Sequence, residues 1–241
     1  MALVKLDATT STNDFLKDLA ANQTTENFTV VTAESQTDGR GQMGAKWVAE
    51  SGKNLMMSVL VKDKLISVNQ LFSLNVSVAL AIAEEMERHD IPNLSIKWPN
   101  DIMSGNKKIG GILIENSFKP NGQIVSIIGI GLNINQTDFE NLPKAGSLRS
   151  VSGREFDKEI IRDGIVEKII RNVAFLAEHD DLLWQNYLLR LFKIGTPMPF
   201  QIKGKRFMGI ITGVTRDGKL ELKHDDDRIA HYAVKEIEML Y

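Results

Sequence analysis

The amino-acid sequence predicts a mixed α/β domain over residues 1–194 and a small β-barrel over 195–241. Three observations carry this prediction. Short apolar runs of strand length are interspersed with long segments of helical period. Gly195, Pro197 and Pro199 then break the last helical segment. Beyond them the runs are short and turn-bounded, with Asp217-Gly218 set in a hairpin pattern.

The elements follow in order. Thr10-Ser11-Thr12-Asn13-Asp14 offers helix-capping side chains, and Phe15, Leu16 and Leu19 follow at helical spacing. Residues 28–33 read as a strand, 34–54 as a polar glycine-rich loop, and 55–61 as the next strand. Over 69–88, Leu71, Leu74, Val78 and Ile82 share one face, which predicts a long amphipathic helix. Three more strands are expected over 95–98, 109–115 and 124–130. Residues 157–191 read as helical, with Ile161, Ile165, Ile169, Leu176 and Leu183 in the core. Strands over 207–214 and 220–223 flank the turn Arg216-Asp217-Gly218-Lys219.

Composition narrows the class. A chain of 241 residues, 43% hydrophobic and 25% charged, buries a sizeable core without covalent staples. Lys and Arg number 29 against 31 Asp and Glu, so no whole-chain charge draws it to nucleic acid or anionic membrane. The absence of cysteine excludes disulfides, thiolate zinc sites, iron–sulfur clusters and a cysteine nucleophile. No secretory signal and no apolar stretch of the required ~20 residues is found, so a cytoplasmic protein is expected.

Four clusters carry chemistry. Gly39-Arg40-Gly41-Gln42-Met43-Gly44 matches G-x-G-x-x-G, but Gly52 follows too soon for the helix of a dinucleotide fold, and Gly52-Lys53 lacks the Ser or Thr of a P-loop. It reads better as a mobile loop whose glycines let backbone N–H groups approach a phosphate, with Arg40 and Lys46 adding charge beside Trp47. Lys97-Trp98-Pro99-Asn100-Asp101 ends a strand, where α/β folds place their chemistry. Lys107-Lys108 opens a strand whose Gly110-Gly111 permits close backbone approach. Gly129 and Gly131 leave a slot on one face of the next strand, ending at Asn133. The run His224-Asp225-Asp226-Asp227 could meet a cation but reads as a solvated hairpin tip, and no metal-ligand spacing is found among the histidines.

Taken together, Ser11-Thr12-Asn13, Gln36 with Gly39-Arg40-Gly41, Lys97 to Asp101, and Lys108 with Gly110-Gly111 and Gly129 to Asn133 resemble the biotin–protein ligases. The resemblance covers roughly residues 6 to 135. It implies an α+β fold, a mixed β-sheet with helices on one side, and an SH3-like C-terminal barrel. It also implies a two-step reaction: biotin and MgATP give biotinyl-5′-AMP, and a lysine of a biotin carboxyl carrier protein, from acetyl-CoA carboxylase or pyruvate carboxylase, displaces AMP.

On this resemblance Lys108, Asp101 and Arg40 are the expected catalytic residues. Lys108 would bridge the carboxylate and the α-phosphate, and Asp101 would orient or deprotonate the incoming amine. Ser11, Thr12, Asn13, Gln36, Gly39, Gly41, Gly111, Gly129 and Gly131 would line the biotin subsite. Arg40, Gln42, Trp47, Lys97, Asn100 and Asn133 would serve the nucleotide, with Trp47 on adenine. ATP, Mg2+ and biotin are the expected small molecules, with no metal held by protein side chains. Gln42, Met43 and Ala45 stand where many members carry more basic residues, so weaker retention of the adenylate is expected. The Ser-Thr-Asn motif begins at residue 11, so no DNA-binding module or repressor role is expected, and homodimerisation is compatible. A lipoate or octanoate ligase on a related fold, and a non-enzymatic biotin-binding regulator, are the alternatives.

Overall fold

The structure is a computed structural model describing residues 2–62, 64, 68–140 and 142–241, with the backbone alone at Asn69. The N-terminal part is a seven-stranded mixed sheet of order β1-β2-β3-β7-β6-β5-β4. Its strands are β1 (Leu3–Thr9), β2 (Val30–Gln36), β3 (Leu55–Lys62), β4 (Leu94–Lys97), β5 (Asp101–Ser104), β6 (Lys107–Phe118) and β7 (Ile124–Leu132). Only β1 and β2 pair in parallel; this register sets Thr9 beside Gln36.

Helix α1 (Thr12–Asn22) starts at Ser11, whose side chain accepts from the Asp14 amide. Helix α2 (Leu71–Arg88) and helix α4 (Lys158–Leu189) pack on one face of the sheet, and short helix α3 (Leu148–Ser152) precedes α4. The helices do not share one side. Val30, Val59, Ile128 and Ile130 belong to the core beneath α2 and α4. The alternate residues Val31, Leu60 and Ile127 pack with Leu16 of α1 on the opposite face. The expected one-sided arrangement is thereby corrected: β2, β3 and β7 are apolar on both faces because both are covered.

Helix α2 also departs from expectation. Beyond the predicted stripe, Val76, Ala79, Leu80, Ala81 and Ala83 are buried, because α4 covers the side that the sheet leaves open. Ile161, Ile165, Ile169, Leu176 and Leu183 are buried as predicted. At Gly164 a Cβ would stand 2.3 Å from the Glu85 carboxyl group, so glycine lets α4 come close to α2. Glu85 is fully buried there, with Lys168 Nζ at 2.5 Å and His89 Nε2 at 2.9 Å.

The C-terminal part comprises β8 (Pro197–Ile202), β9 (Lys205–Val214), β10 (Leu220–His224), β11 (Ile229–Tyr232) and β12 (Glu238–Met239), in the order β11-β10-β9-β8-β12. The expected barrel is instead an open antiparallel sheet. The four residues of β11 and the two of β12 pair only with their inner neighbours and do not meet. This sheet is not independent of the rest, since Phe200, Ile211, Leu220 and Leu222 join the α2–α4 core. The buried Trp98 indole donates to the Gly218 carbonyl at 2.8 Å, tying the end of β4 to the β9–β10 turn. No helix among the described residues is long and apolar enough to cross a membrane.

Candidate active site

The α1 face of the sheet is covered by that helix only in part. Beyond its N-terminus a cavity of about 270 Å³ opens, floored by β3, β6 and β7 and roofed by the 39–47 loop. Strand register builds its floor. Ser58 pairs with Gly129, which pairs with Leu113; Gly131 pairs with Gly111, which pairs with Asp101. One cross-strand row therefore leads from glycine to the carboxylate.

A polar network occupies the α1 end. The Thr12 amide and hydroxyl donate to Gln36 Oε1 at 2.8 and 3.1 Å. The buried Ser58 hydroxyl lies 2.8 Å from Thr12 Oγ1 and 2.6 Å from Asn13 Oδ1. Asn13 Nδ2 donates to Glu115 Oε2 at 2.7 Å. Each side chain is thus held by a neighbour on another element, which fixes donors and acceptors for a ligand.

The glycine slot is filled by the protein itself. A Cβ at Gly129 would lie 2.6 Å from Asn13 Oδ1, and one at Gly131 would lie 2.5 Å from the Trp47 indole. Trp47 is brought there by a tight hairpin: its amide donates to the Gly39 carbonyl at 2.8 Å, and the Gly41 amide donates to the Ala45 carbonyl at 2.7 Å. The Gly41 N–H is therefore engaged within the loop. Gly39 has its own role, since a Cβ there would meet the Trp47 carbonyl at 2.6 Å.

Charge converges at the opposite end. Asp101 receives Lys108 Nζ at 2.5 Å and Lys97 Nζ at 3.1 Å. Lys108 Nζ also lies 5.9 Å from the Trp47 ring centroid. Behind them, burial foremost and then the Asp101 charge push the Tyr241 phenol upward. Arg40 pairs with Asp14 in the first turn of α1, and that hydrogen bond is the main reason its guanidinium pKa is raised. Arg40, Lys46, Lys108 and Lys235 line the cavity against the single carboxylate of Asp101. The site suits an anionic ligand with an apolar portion.

The cavity gathers Ser11, Thr12, Asn13, Gln36, Arg40, Gly41, Gln42, Trp47, Asn100, Asp101, Lys108, Gly111, Gly129 and Gly131. Three expected residues do not line it: Gly39, Lys97 and Asn133. Lys97 reaches Asp101 from behind, and Asn133 Nδ2 donates to the Gly146 carbonyl at 2.9 Å. Asn100 lines the wall, but its amide is turned to the Ile112 carbonyl. Sequence reasoning missed Ser58, Glu115, Asp14 and Lys235. Ser58 could have been found as the lone polar residue in the run 55–61. Lys235 carries no local signal and arrives from 192 residues beyond Met43, whose carbonyl it contacts.

Comparison with known proteins places this arrangement. The family model described as the biotin/lipoate A/B protein ligase family matches residues 6–135. A bifunctional ligase/repressor of Bacillus subtilis is 32% identical over 238 residues, spanning 93% of this chain and 70% of that protein. The chain belongs to the biotin/lipoate A/B protein ligase family. Among ligases of this family, a biotin–[acetyl-CoA-carboxylase] ligase of Mycobacterium tuberculosis is 27% identical over 216 residues, covering 88% of this chain and 79% of that protein. The fold matches a biotin protein ligase from Aquifex aeolicus solved with biotin and ATP, with a TM-score of 0.81 at 22% identity and coverage of 99% and 98%.

Proposed function

We infer that the chain is a biotin–protein ligase, which activates biotin as biotinyl-5′-AMP with ATP and passes it to a lysine of a biotin carboxyl carrier protein. The observation that carries the chemistry is the Lys108–Asp101–Lys97 array, in which Asp101 pairs across strands with Gly111 of the cavity floor.

In the first step a biotin carboxylate oxygen attacks the α-phosphorus of ATP. The P–O bond to pyrophosphate breaks, and pyrophosphate leaves with the electron pair. Two anions must meet, so cations have to offset their repulsion in a partly dry site. Lys108 would bridge carboxylate and α-phosphate, with Arg40 and Lys46, which also line the cavity, adding charge at the loop side. Thr12, Asn13 and Gln36, with Ser11, offer hydroxyl and amide groups suited to a ureido ring. Gly111, Gly129 and Gly131 supply the floor, with Gly39 and Gly41 shaping the loop above it. Trp47 offers a flat face for adenine beside Gln42 and the Asn100 wall. Lys97 acts through Asp101, and Asn133 through the turn it holds at Gly146.

In the second step the carrier lysine attacks the acyl carbon. The C–O bond to AMP breaks, and AMP leaves as the phosphate anion. Asp101 would accept the amine proton once Lys108 has turned to phosphate. Among the described residues no group of three or more acidic or histidine side chains could hold a metal ion. Magnesium would enter on the triphosphate as part of the substrate. We read residues 1–194 as the catalytic unit and 195–241 as an SH3-like unit that has kept its sheet open.

ATP–pyrophosphate exchange tests this reading. Exchange that requires biotin is expected. Exchange supported by lipoate instead would keep the family and overturn the substrate. Biotin binding without exchange would overturn the enzyme reading in favour of a biotin-binding regulator.

A further inference from the structure

We propose that Lys235 is a positioning residue of this site, a latch by which the C-terminal sheet holds the 39–47 loop over the cavity and slows loss of the acyl-adenylate. The proposal rests on the ligase reading. Lys235 Nζ donates to the Met43 carbonyl at 3.0 Å, and both residues line the cavity. From residues 195–241, all of them described, Val234 and Lys235 line the cavity, both in the turn between β11 and β12.

The loop is tied at its base and free at its tip. Trp47 anchors one side on Gly131, and Arg40 anchors the other on Asp14. Between them Gln42–Gly44 forms a single 3-10 turn with no buried residue. The bond from Lys235 reaches that tip from outside the loop. It comes from a tight turn between β11 and β12, closed by Glu236 N to Ala233 O at 3.1 Å and by Ala233 N to Glu236 Oε2 at 2.7 Å.

Both residues adopt left-handed backbone conformations. Met43 has φ 54° and Lys235 has φ 69°, where glycine is favoured over any L side chain. Lys193 and Lys203 share this conformation, so it is the bond to the Met43 carbonyl that sets Lys235 apart. Its charge also stands at the rim of a cavity meant for phosphate. An exposed hydrogen bond is weak alone. At a loop tip it need only shift an open–closed balance, and the adenylate leaves through the open form.

The test measures release of labelled biotinyl-AMP, formed in place and chased with unlabelled adenylate, from wild type, Lys235→Gly and Lys235→Arg. Tryptic nicking after Arg40 and Lys46 in the ligand-free protein is followed in parallel by mass spectrometry. Lys235→Gly suits the turn backbone, so it is expected to raise the thermal midpoint while releasing adenylate about 3- to 10-fold faster. Nicking should accelerate with it, and Lys235→Arg should restore both. Release from Lys235→Gly at the wild-type rate would overturn the latch, whether or not nicking changes. Wild type that forms no adenylate at all would overturn the ligase reading and the latch together.

Discussion

Substituting alanine for Gly131 probes the contact that seats the loop. The added Cβ would lie 2.5, 2.7 and 2.9 Å from Trp47 Cε2, Cζ2 and Cδ2. Carbon atoms rest about 3.5–4.0 Å apart, so the indole must withdraw by about 1 Å. Overpacking of this kind costs about 1–3 kcal/mol. Gly131 lies in β7 without a positive φ, so alanine itself brings no backbone strain. Relief comes by lifting Trp47, and with it the loop. If Trp47 meets adenine, ATP affinity falls by about 5- to 150-fold, at 1.4 kcal/mol for each factor of ten. Calorimetric titration of ATP in the presence of biotin reads this directly. Gly111→Ala is the matched control, because its Cβ would meet Lys108 Cε and Nζ at 3.4 Å and Trp47 at 3.6 Å, ordinary contacts or nearly so. Wild-type ATP affinity in Gly131→Ala, or a larger loss in Gly111→Ala, would refute the placement of Trp47.

Three further outcomes are expected. Trp98→Phe removes the indole donor to the Gly218 carbonyl, leaving a buried acceptor unpaired at about 1–3 kcal/mol; the thermal midpoint should fall by about 2–10 °C, and an unchanged midpoint would show the tie to be idle. Gln42→Arg adds a cation to the cavity wall and should slow release of biotinyl-AMP about 2- to 5-fold, while equal off-rates would remove Gln42 from the account. Acid should weaken the C-terminal sheet. Asp217 is held below the carboxylate range first by Thr215 and then by Lys219, Glu221 first by Thr212 and then by His231, and Asp227 by Lys223. Because these folded-state pKa values are depressed, their stabilisation is complete above the ordinary carboxylate range and is lost as pH falls through them. Urea midpoints should therefore drop between pH 7 and pH 3, and a flat or rising profile would contradict the assignment.

Much of this architecture is legible in local sequence, for reasons that also mark the limits. The strands at 55–61 and 124–130 are largely buried apolar runs, and such runs declare themselves, as does the half-buried apolar run at 109–115. β1 is hard to read because its Leu-Val-Lys-Leu-Asp-Ala-Thr run is a half-exposed edge, supported by a parallel partner whose register lies 27 residues on and by Val4 and Leu6 packing beneath α1. β5 is four residues long and begins immediately after Asn100, so the turn chemistry before it masks it. α2 looked one-sided because its small residues score as neutral until α4 is seen covering them. At the site, residue type and spacing found Lys108, Asp101, Arg40 and the Ser-Thr-Asn cap. They could not reveal that the glycine slot receives Trp47 and Asn13, since that depends on how the loop folds back. Nor could they find Asp14 on Arg40 or Glu115 on Asn13, which are tertiary pairings between side chains that look like surface charge.

On the ligase reading, adenylation and transfer both turn on Lys108. The most direct measurement incubates wild type or Lys108→Ala with biotin, MgATP and a biotin carboxyl carrier domain, and reads the carrier by intact-mass spectrometry. Biotin binding by each protein is measured beside it by calorimetry. Wild type should add one biotinyl group to the carrier, and Lys108→Ala should add none while still binding biotin in part. A variant that biotinylates the carrier as fast as wild type would contradict the account.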